Sequence, residues 1–309
     1  MNLSSLNTFN LAIAWNWEYD SDFIAGIEYE CAFRGISTYR IDTDHLPDLL
    51  KELKLGKISF ESFYDRASDS DPAFLPLVRW MEDNALYLIN PYHRVIHAVD
   101  KATMHLESIT NGLNVPNTII LSPYSEQRCT SICEDELKQV GSPFVIKPAN
   151  TTGGGTGVIL NATSMQEVMK ARQEHKNDKY LIQETIIPKI FEGKRAWFRV
   201  YFAFGEIILC WWDDITHRYT ELSTEEETNY NLNGLRKAMT IIHKICELDF
   251  FSSEIAITNS EKTVVVDYVN EVCDMRLQSK YFNGAPDAIV HKIEQLIAEQ
   301  VKSHLGQNN

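Results

Sequence analysis

The chain has 309 residues, of which 44% are hydrophobic and 23% are charged, proportions that are ordinary for a globular protein with a sizeable core. Its formal net charge is -14 at pH 7. Nucleic acids and anionic membranes are bound through basic patches, so this charge argues against both kinds of partner. We therefore expect the partner to be a small molecule or a protein.

Export, membrane and zinc-binding signals are not visible in the sequence. Residues 1–20 lack a basic start followed by an apolar core, and no run of about 18 apolar residues occurs, so we expect a cytoplasmic protein. The six cysteines form no Cys-x-x-Cys pair, which favours buried thiols over a disulfide framework. His93 and His97 have the spacing of a zinc helix, but Arg94 stands where the general-base Glu would be.

The first part of the chain predicts an α/β lobe. Strand-like residues 10–15 and 37–41 enclose a helical pattern at 22–34, an order typical of a parallel βαβ unit. A strand at 57–63 is followed by an acidic segment at 65–72, which is interpreted as a solvated loop or as part of a ligand cleft. One long helix is predicted over 92–113.

The segment 142–158 predicts a strand, a glycine-dense loop and a second strand. Three consecutive glycines begin at Gly153, and without side chains their backbone N–H groups can close on an anion. Lys147 lies just before the loop and adds a positive charge. The loop lacks the Gly-Lys-Ser/Thr of a Walker A motif, and Val158 stands where the dinucleotide fingerprint needs its third glycine. The pattern therefore indicates a phosphate-binding flap of another kind.

A second hairpin near the end of the chain carries oxygen-bearing side chains. Asp267, Asn270 and Glu271 end an apolar strand, and antiparallel pairing can bring Glu254 close to them. Hard oxygen ligands of this kind suit magnesium, which usually takes one or two carboxylates together with substrate phosphates. A polar strand end with a structural ion pair is the alternative.

The order of these signals resembles the ATP-grasp superfamily, and within it the branch of glutathione synthetases and the glutamate ligases that modify ribosomal protein. The pieces that carry the resemblance are, in chain order, Ile89-Asn90, Asp100-Lys101, Val115 to Thr118, Val145 to Pro148, Gly153 to Val158, Leu181 to Glu184, Arg199, Glu254, Asp267 and Asn270. The resemblance implies an α/β (α+β) fold. It divides the chain into a leading pre-ATP-grasp lobe at 1–98, a lid subdomain with the flap at 99–186 and a C-terminal subdomain with the metal site at 187–309.

The resemblance also implies an activity, namely an ATP-dependent carboxylate-amine ligase that forms an amide or peptide bond through an acyl phosphate and releases ADP and phosphate. ATP and Mg2+ are the implied cofactors. The implied partners are small-molecule carboxylate and amine substrates, among them amino acids or a peptide. A homodimer is the oligomer to be expected, because dimers are the commonest soluble oligomers.

Residue roles follow from the same resemblance. Arg199 would stabilise the acyl phosphate, with Arg276 as the second choice. The implied metal ligands are Glu254, Asp267 and Asn270. The implied nucleotide-binding residues are Lys101, Lys147, Gly153, Gly154, Gly155, Thr156, Gly157, Gln183, Glu184, Ile186 and Glu192.

Two departures from the family pattern bear on the metal site. Asp267 and Asn270 are three residues apart where the family has two, so their side chains point to opposite faces unless the strand bulges. In an alternative register Glu271 is the carboxylate and Cys273 takes the position of the Asn. In addition, Trp197 replaces an acidic residue that commonly lies two before the arginine.

Two other functions stay open on the sequence. The irregular metal motif is compatible with a nucleotide-binding regulatory or scaffold protein without turnover. An ATP-grasp kinase would phosphorylate a hydroxyl or carboxylate without ligation.

Overall fold

The computed structural model describes residues 6–84, 86–130, 132, 134–151 and 155–307. These residues form two four-stranded sheets, one five-stranded sheet and a two-stranded ribbon. The mixture of a parallel sheet with antiparallel sheets confirms the predicted α/β (α+β) class.

The leading sheet is parallel and has the strand order β2-β1-β3-β4. Leu11, Ala12, Ile13 and Ala14 are fully buried, as expected for a parallel strand covered on both faces. Its strands are β1 (Asn7–Trp15), β2 (Thr38–Ile41), β3 (Ile58–Arg66) and β4 (Tyr87–Ile89), and its helices are α1 (Ser21–Phe33), α2 (Leu46–Lys54) and α3 (Leu75–Asp83).

The long helix predicted over 92–113 is wrong, because the structure has two helices, α4 (Tyr92–Ala98) and α5 (Lys101–Thr110). Asp100 breaks the pattern. Its backbone is extended, and its side chain accepts hydrogen bonds from the backbone N–H groups of Ala102 and Thr103, which makes it the N-cap of α5. Lys101 therefore occupies the first position of a new helix.

The middle sheet is antiparallel, with the order β5-β8-β6-β7. The predicted hairpin around the glycine loop is confirmed by the pairing of β6 with β7. The elements of this part are β5 (Thr118–Leu121), α6 (Glu134–Val140), β6 (Phe144–Pro148), β7 (Ile159–Ala162), α7 (Met165–Ala171) and β8 (Tyr180–Glu184).

The last sheet is also antiparallel, with the order β13-β12-β11-β14-β15. Helix α9 packs on β15 and β11. The elements are β9 (Ile190–Phe191), β10 (Lys194–Arg195), β11 (Trp197–Ala203), β12 (Glu206–Asp213), β13 (Arg218–Glu221), α8 (Thr224–Asn229), α9 (Asn233–Cys246), β14 (Phe250–Ile257), β15 (Thr263–Asn270) and α10 (Asp287–Gln307).

The leading lobe shares a core with the end of the chain. Helix α10 packs against α1, and one hydrophobic cluster contains both Leu11 of β1 and Ile293 of α10. The Asn90 side chain joins the same two regions, since its amide donates to the carbonyl of Phe250 at 2.8 Å and its oxygen accepts from the backbone N–H of Asp249 at 2.8 Å. The three sheets lie within the predicted ranges 1–98, 99–186 and 187–309, and the division into domains at those boundaries stays a prediction.

A buried ion pair lies at this contact. Arg66 was expected in a solvated loop, but it ends β3 and is 2% exposed. Its Nε and Nη2 each donate to the Asp20 carboxylate at 2.8 Å, and Nη2 also donates to the carbonyl of Cys273 at 3.0 Å. The loop interpretation is therefore wrong for Arg66, whose charge is satisfied by groups far apart in the sequence. None of the helices in the described ranges is long and apolar enough to cross a bilayer.

We predict that Asp20→Ala destabilises the fold by about 3–5 kcal/mol, because it leaves the buried Arg66 cation without its partner. Urea unfolding monitored by circular dichroism measures this change. Asp22→Ala is the matched control, since Asp22 joins the same two regions through Lys280 at 2.8 Å but on the surface. The control should lose no more than about 1 kcal/mol. Equal losses for the two variants would contradict the prediction.

Candidate active site

Two lysines and an aspartate from different parts of the chain meet in the interior. Lys101 begins α5, Lys147 lies in β6, and Asp267 lies in β15. The Nζ atoms of Lys101 and Lys147 lie 4.0 and 3.8 Å from Oδ1 of Asp267. Lys147 is also held by its own hydrogen bond, from Nζ to the carbonyl of Val266 at 3.1 Å. The sequence predicted each of these side chains for one site, and the structure brings them together.

A second charged pair lies on the neighbouring strands. Arg199 of β11 is directly opposite Glu254 of β14, and its Nη2 donates to Oε1 of that carboxylate at 2.5 Å. The Trp197 indole donates to Oε2 of Glu254 at 3.2 Å. Trp197, which replaces the acidic residue usual in the family, therefore fixes the orientation of a carboxylate instead of supplying one.

The electrostatics of the two pairs are linked. Burial alone would raise the pKa of Asp267, but the positive charges of Lys101, Lys147 and Arg199 lower it. Burial lowers the pKa of Lys147, an effect that the charge of Asp267 partly offsets. Burial also acts against the charge of Arg199, but the adjacent Glu254 carboxylate raises its pKa, so the guanidinium stays charged. The site thus holds more positive than negative charge in a poorly solvated space, which suits a polyanion.

A bulge in β15 settles the spacing problem noted in the sequence. Ser252 pairs with Asn270 and Glu254 pairs with Asp267, so two steps along β14 correspond to three along β15. Ser252 and Glu254 lie on one face of β14 because side chains alternate, and residues directly opposite them share that face. Asp267 and Asn270 therefore point to the same side despite their three-residue spacing.

The alternative register is not supported by the geometry. Glu271 lines a small cavity with Asp65 and Asp69, away from the lysine pair. Burial and these two carboxylates raise the pKa of Glu271 to about 8. Cys273 is buried, and its Sγ donates to the carbonyl of Asn270 at 3.3 Å. Asp267 is thus the carboxylate that faces the lysines.

One oxygen of the predicted metal ligand Asp267 is suited to a divalent cation. Oδ1 of Asp267 is buried without a hydrogen-bond donor, and the two ammonium groups lie beyond hydrogen-bonding distance from it. An orphaned carboxylate oxygen of this kind is a natural position for a cation. Among the described residues, no group of three or more His, Cys, Asp or Glu side chains is placed to hold a metal ion. The set of two carboxylates and one amide therefore leaves ligand positions for phosphate oxygens and water.

The base of the glycine loop is anchored by a residue that the sequence did not single out. Asp178 accepts four hydrogen bonds of 2.9 Å, from the backbone N–H and side chain of both Asn150 and Thr151. Gly155 and Gly157 have positive φ angles of 80° and 75°. A Cβ on Gly157 would lie 3.2 Å from both His175 and Pro148, so this position needs glycine. Thr156 is exposed between them, and Gly153 and Gly154 lie outside the described residues.

The residues predicted around adenine are less uniform. Gln183 is 2% exposed, and its amide donates to Thr118 Oγ1 at 3.0 Å and to the Tyr268 hydroxyl at 3.2 Å, which links the middle sheet to β15. Glu184 ends β8 and accepts from the backbone N–H of Asn117 at 3.2 Å. Ile186 is partly buried just beyond that strand. Glu192 lies exposed in the turn between β9 and β10, at a φ of 48°.

Arg276, the second choice for stabilising the acyl phosphate, has partners of its own. Its guanidinium donates to the Asp274 carboxylate at 2.9 Å from Nε and 2.6 Å from Nη2. The rings of Trp17 and Tyr281 lie 5.4 and 5.5 Å from its central carbon. No contact of Arg276 with Arg199 or with the lysine pair is found among the described residues, so the structure does not bring it into the buried cluster.

Known protein-family models and curated proteins gave no match to the chain. Several solved structures match the chain. The chain is similar to the D-alanine--D-alanine ligase of Bacillus anthracis complexed with ATP, at 13% identity over 96% of this chain and 97% of that one, with a TM-score of 0.65. It is similar to the macrocyclase MdnC of Microcystis aeruginosa bound with precursor peptide MdnA, at 15% identity over 94% and 98%, with a TM-score of 0.63. It is also similar to the ATP-grasp ligase PsnB complexed with precursor peptide PsnA2 and AMPPNP, at 13% identity over 98% and 99%, with a TM-score of 0.62.

The chain has the ATP-grasp fold. The predicted resemblance is confirmed at the level of the fold. In this fold the lysine pair lies where the middle and last sheets meet.

Three residues that matter to the geometry were given no structural role on the sequence. Asp178 lies in a polar turn, Asp100 lies inside an unbroken helical pattern, and Trp197 was noted only as a departure. They bond with Thr151, Lys179 and Glu254, which lie 27, 79 and 57 residues away in the sequence. No local sequence pattern predicts contacts over such separations. Asp100 also accepts a hydrogen bond from Lys179, which ties the start of α5 to the turn next to Asp178.

The burial of His105 predicts that the stability of the fold depends on pH. Burial, with a smaller effect from Lys147, lowers the pKa of His105 to about 4, and its Nδ1 lies 2.6 Å from the Tyr268 hydroxyl. An unfolded histidine titrates near 6.5, so between that pH and about 4 the unfolded chain takes up the proton that the folded chain refuses. The free energy of unfolding should therefore fall as the pH drops from about 6.5 to about 4. Below that range His105 should cause no further change.

Urea unfolding at pH 7 and pH 5 checks the effect, with His105→Gln as the comparison. Glutamine can still bond with Tyr268 but does not titrate. The variant should lose less stability than the wild type between the two pH values. The same loss in both proteins would show that His105 is not the cause.

Proposed function

We propose that the protein is an ATP-dependent carboxylate-amine ligase that forms an amide or peptide bond through an acyl phosphate and releases ADP and phosphate. The observation that carries the proposal is the buried cluster in which Asp267 faces Lys101 and Lys147 while Arg199 pairs with Glu254. The solved structures of similar fold include ligases with ATP or an ATP analogue bound, which supports the same class of chemistry. The described cysteines are free thiols, which suits a cytoplasmic location.

In this proposal the two lysines bind the phosphates of ATP. Both ammonium groups are largely buried, so their charges act on a ligand with little screening by water. The turn at Gly155, Thr156 and Gly157 covers the triphosphate together with Gly153 and Gly154. Gln183, Glu184, Ile186 and Glu192 line the region proposed for adenine and ribose.

Glu254, Asp267 and Asn270 would hold Mg2+, which would supply positive charge to offset the charge of the phosphates. The remaining chemistry falls to the side chains themselves. Phosphoryl transfer needs positioning and charge stabilisation more than a protein nucleophile. Nε of Arg199 is buried without a hydrogen-bond acceptor, so it can donate to an anion that develops next to it. We assign to Arg199 the stabilisation of the acyl phosphate while the amine approaches.

One observation favours a second candidate, a nucleotide-binding regulatory or scaffold protein without turnover. Both oxygens of Glu254 already accept hydrogen bonds, one from Arg199 and one from Trp197. If those bonds persist when nucleotide binds, Glu254 contributes less to a metal and the site binds without catalysis. ADP release in the presence of carboxylate and amine substrates separates the two candidates.

The deciding experiment measures magnesium-dependent ADP release with pools of amino acids and peptides, and detects the amide product by mass spectrometry. Amide formation supports the ligase. A phosphorylated product without amide indicates an ATP-grasp kinase instead, and nucleotide binding without ADP release indicates the binding protein. If purified protein binds no adenine nucleotide, the proposal is overturned.

We predict that Lys147→Met weakens ATP binding at least tenfold, because it removes a buried charge from the phosphate site.

Arg199→Lys should instead lower kcat by about 100-fold to 1000-fold and leave the ATP dissociation constant within about threefold, since the loss falls on the transition state. Calorimetry and steady-state kinetics measure the two quantities. Lys138→Met is the control, because Lys138 lies exposed on α6, where it pairs with Asp135. Losses of ATP affinity that are equal in Arg199→Lys and Lys147→Met would contradict the assigned roles.

A further inference from the structure

A cation flanked by aromatic rings lies where the leading lobe meets the loop after β15. The central carbon of the Arg276 guanidinium is 5.4 Å from the Trp17 ring and 5.5 Å from the Tyr281 ring. Tyr19 packs edge-on against both, at 5.3 Å from Trp17 and 5.5 Å from Tyr281. The three rings and the arginine form a bracket, by which we mean Trp17, Tyr19, Arg276 and Tyr281.

The bracket opens to solvent. Trp17 and Tyr19 are 37% and 39% exposed, although each carries a large apolar surface that burial would stabilise. Arg276 uses Nε and Nη2 to bond with Asp274, and no hydrogen bond from its Nη1 is found among the described residues. One edge of the guanidinium is thus available to a further acceptor.

The bracket is continuous with the buried cluster. Arg199 lies 5.2 Å from the Trp212 ring, and Trp212 lies 4.4 Å from the Tyr219 ring. The Tyr219 carbonyl accepts from the Gln278 amide at 2.9 Å, two residues beyond Arg276. The phenol of Tyr219 also lies within the electrostatic reach of Arg199 and Asp274. Tyr219 therefore lies between Arg199 and the segment that carries Arg276, and its phenol is within the electrostatic reach of both guanidinium groups.

We propose that Arg276 binds a second carboxylate of the substrate, one that does not react, so that the acid substrate is a dicarboxylate or a peptide with an acidic group. This inference rests on the proposed ligase function. Arg199 serves the reacting carboxylate, and Arg276 holds the distal one. Asp274 holds the guanidinium in position through hydrogen bonds from Nε and Nη2.

The geometry favours a carboxylate over other ligands. Asp274 takes the Nε and Nη2 donors, so the Nη1 side of the guanidinium stays open, and a flat carboxylate matches that edge with parallel N–H donors. The rings of Trp17 and Tyr281 lie within cation–π distance and favour the charged guanidinium. A cationic ligand would meet Arg276 as a like charge, and a purely apolar ligand would leave the guanidinium edge without an acceptor.

Tryptophan fluorescence gives a readout that does not require turnover. The probes are dicarboxylates from malonate to adipate and the dipeptide glycyl-glutamate, each compared with an analogue in which one carboxylate is an amide. They are titrated in the presence of Mg2+ and a non-hydrolysable ATP analogue. At least one dicarboxylate should change the emission saturably and bind about tenfold more tightly than its amide analogue. Trp17→Phe should remove the signal, and calorimetry should show that binding persists.

Arg276→Lys should abolish the preference for the dicarboxylate, since lysine keeps the charge but cannot donate in parallel. The matched control is Arg34→Lys, because Arg34 also lies beside a ring and a carboxylate, those of Phe33 and Glu30, but it follows α1 and bonds with Glu299 of α10. The control should keep the preference. If no probe distinguishes a carboxylate from an amide, or if the preference survives in Arg276→Lys, the inference is overturned.

The outcomes also separate this inference from the ligase proposal. An active ligase whose kinetic constants for acid substrates are unchanged in Arg276→Lys overturns the inference alone. In that variant a raised KM for the acid substrate, with an unchanged KM for ATP, supports it. A protein that prefers dicarboxylates in the fluorescence titration but releases no ADP keeps Arg276 as an anion site and overturns the ligase.

Discussion

The structure depends on one constraint, the placement of the Asp267 carboxylate between buried cations. Lys101 comes from the start of α5, Lys147 from the middle sheet, and Asp267 from the last sheet. Each charge would be costly to bury alone, and each becomes tolerable because the opposite charge is fixed nearby. The two sheets must therefore meet in one relative position. The network of Gln183, Tyr268 and His105 maintains that position, because it joins β8, β15 and α5 through hydrogen bonds.

The part of the fold that follows from local patterns could be predicted from the sequence. The hairpin around the glycine loop, the apolar strand at 263–270 and the parallel unit at the start of the chain all have a period or a turn that identifies them. The break at Asp100 could not be predicted in this way. The helical pattern continues across it, and the cap that ends the pattern depends on a side chain that also bonds with Lys179.

The sequence named the charged residues that the structure brings together, but it did not give their geometry. The three-residue spacing of Asp267 and Asn270 left two registers open, and only the pairing with β14 decides between them. The burial of Arg66 was equally hidden, since its partners Asp20 and Cys273 lie 46 and 207 residues away. Tyr268 illustrates the same limit. It lies between the two predicted ligands Asp267 and Asn270 in the sequence, whereas in the fold it is buried and bonds with His105.

The contact between Arg66 and Cys273 has a consequence for synthesis on the ribosome. The leading lobe is made first, but its buried guanidinium needs a carbonyl that is added 207 residues later, and its core is completed by α10. The nascent lobe therefore keeps apolar surface exposed until α10 has been translated. We therefore expect the emerging chain to be a client of chaperones, and premature termination before α10 to yield a product that the cell degrades.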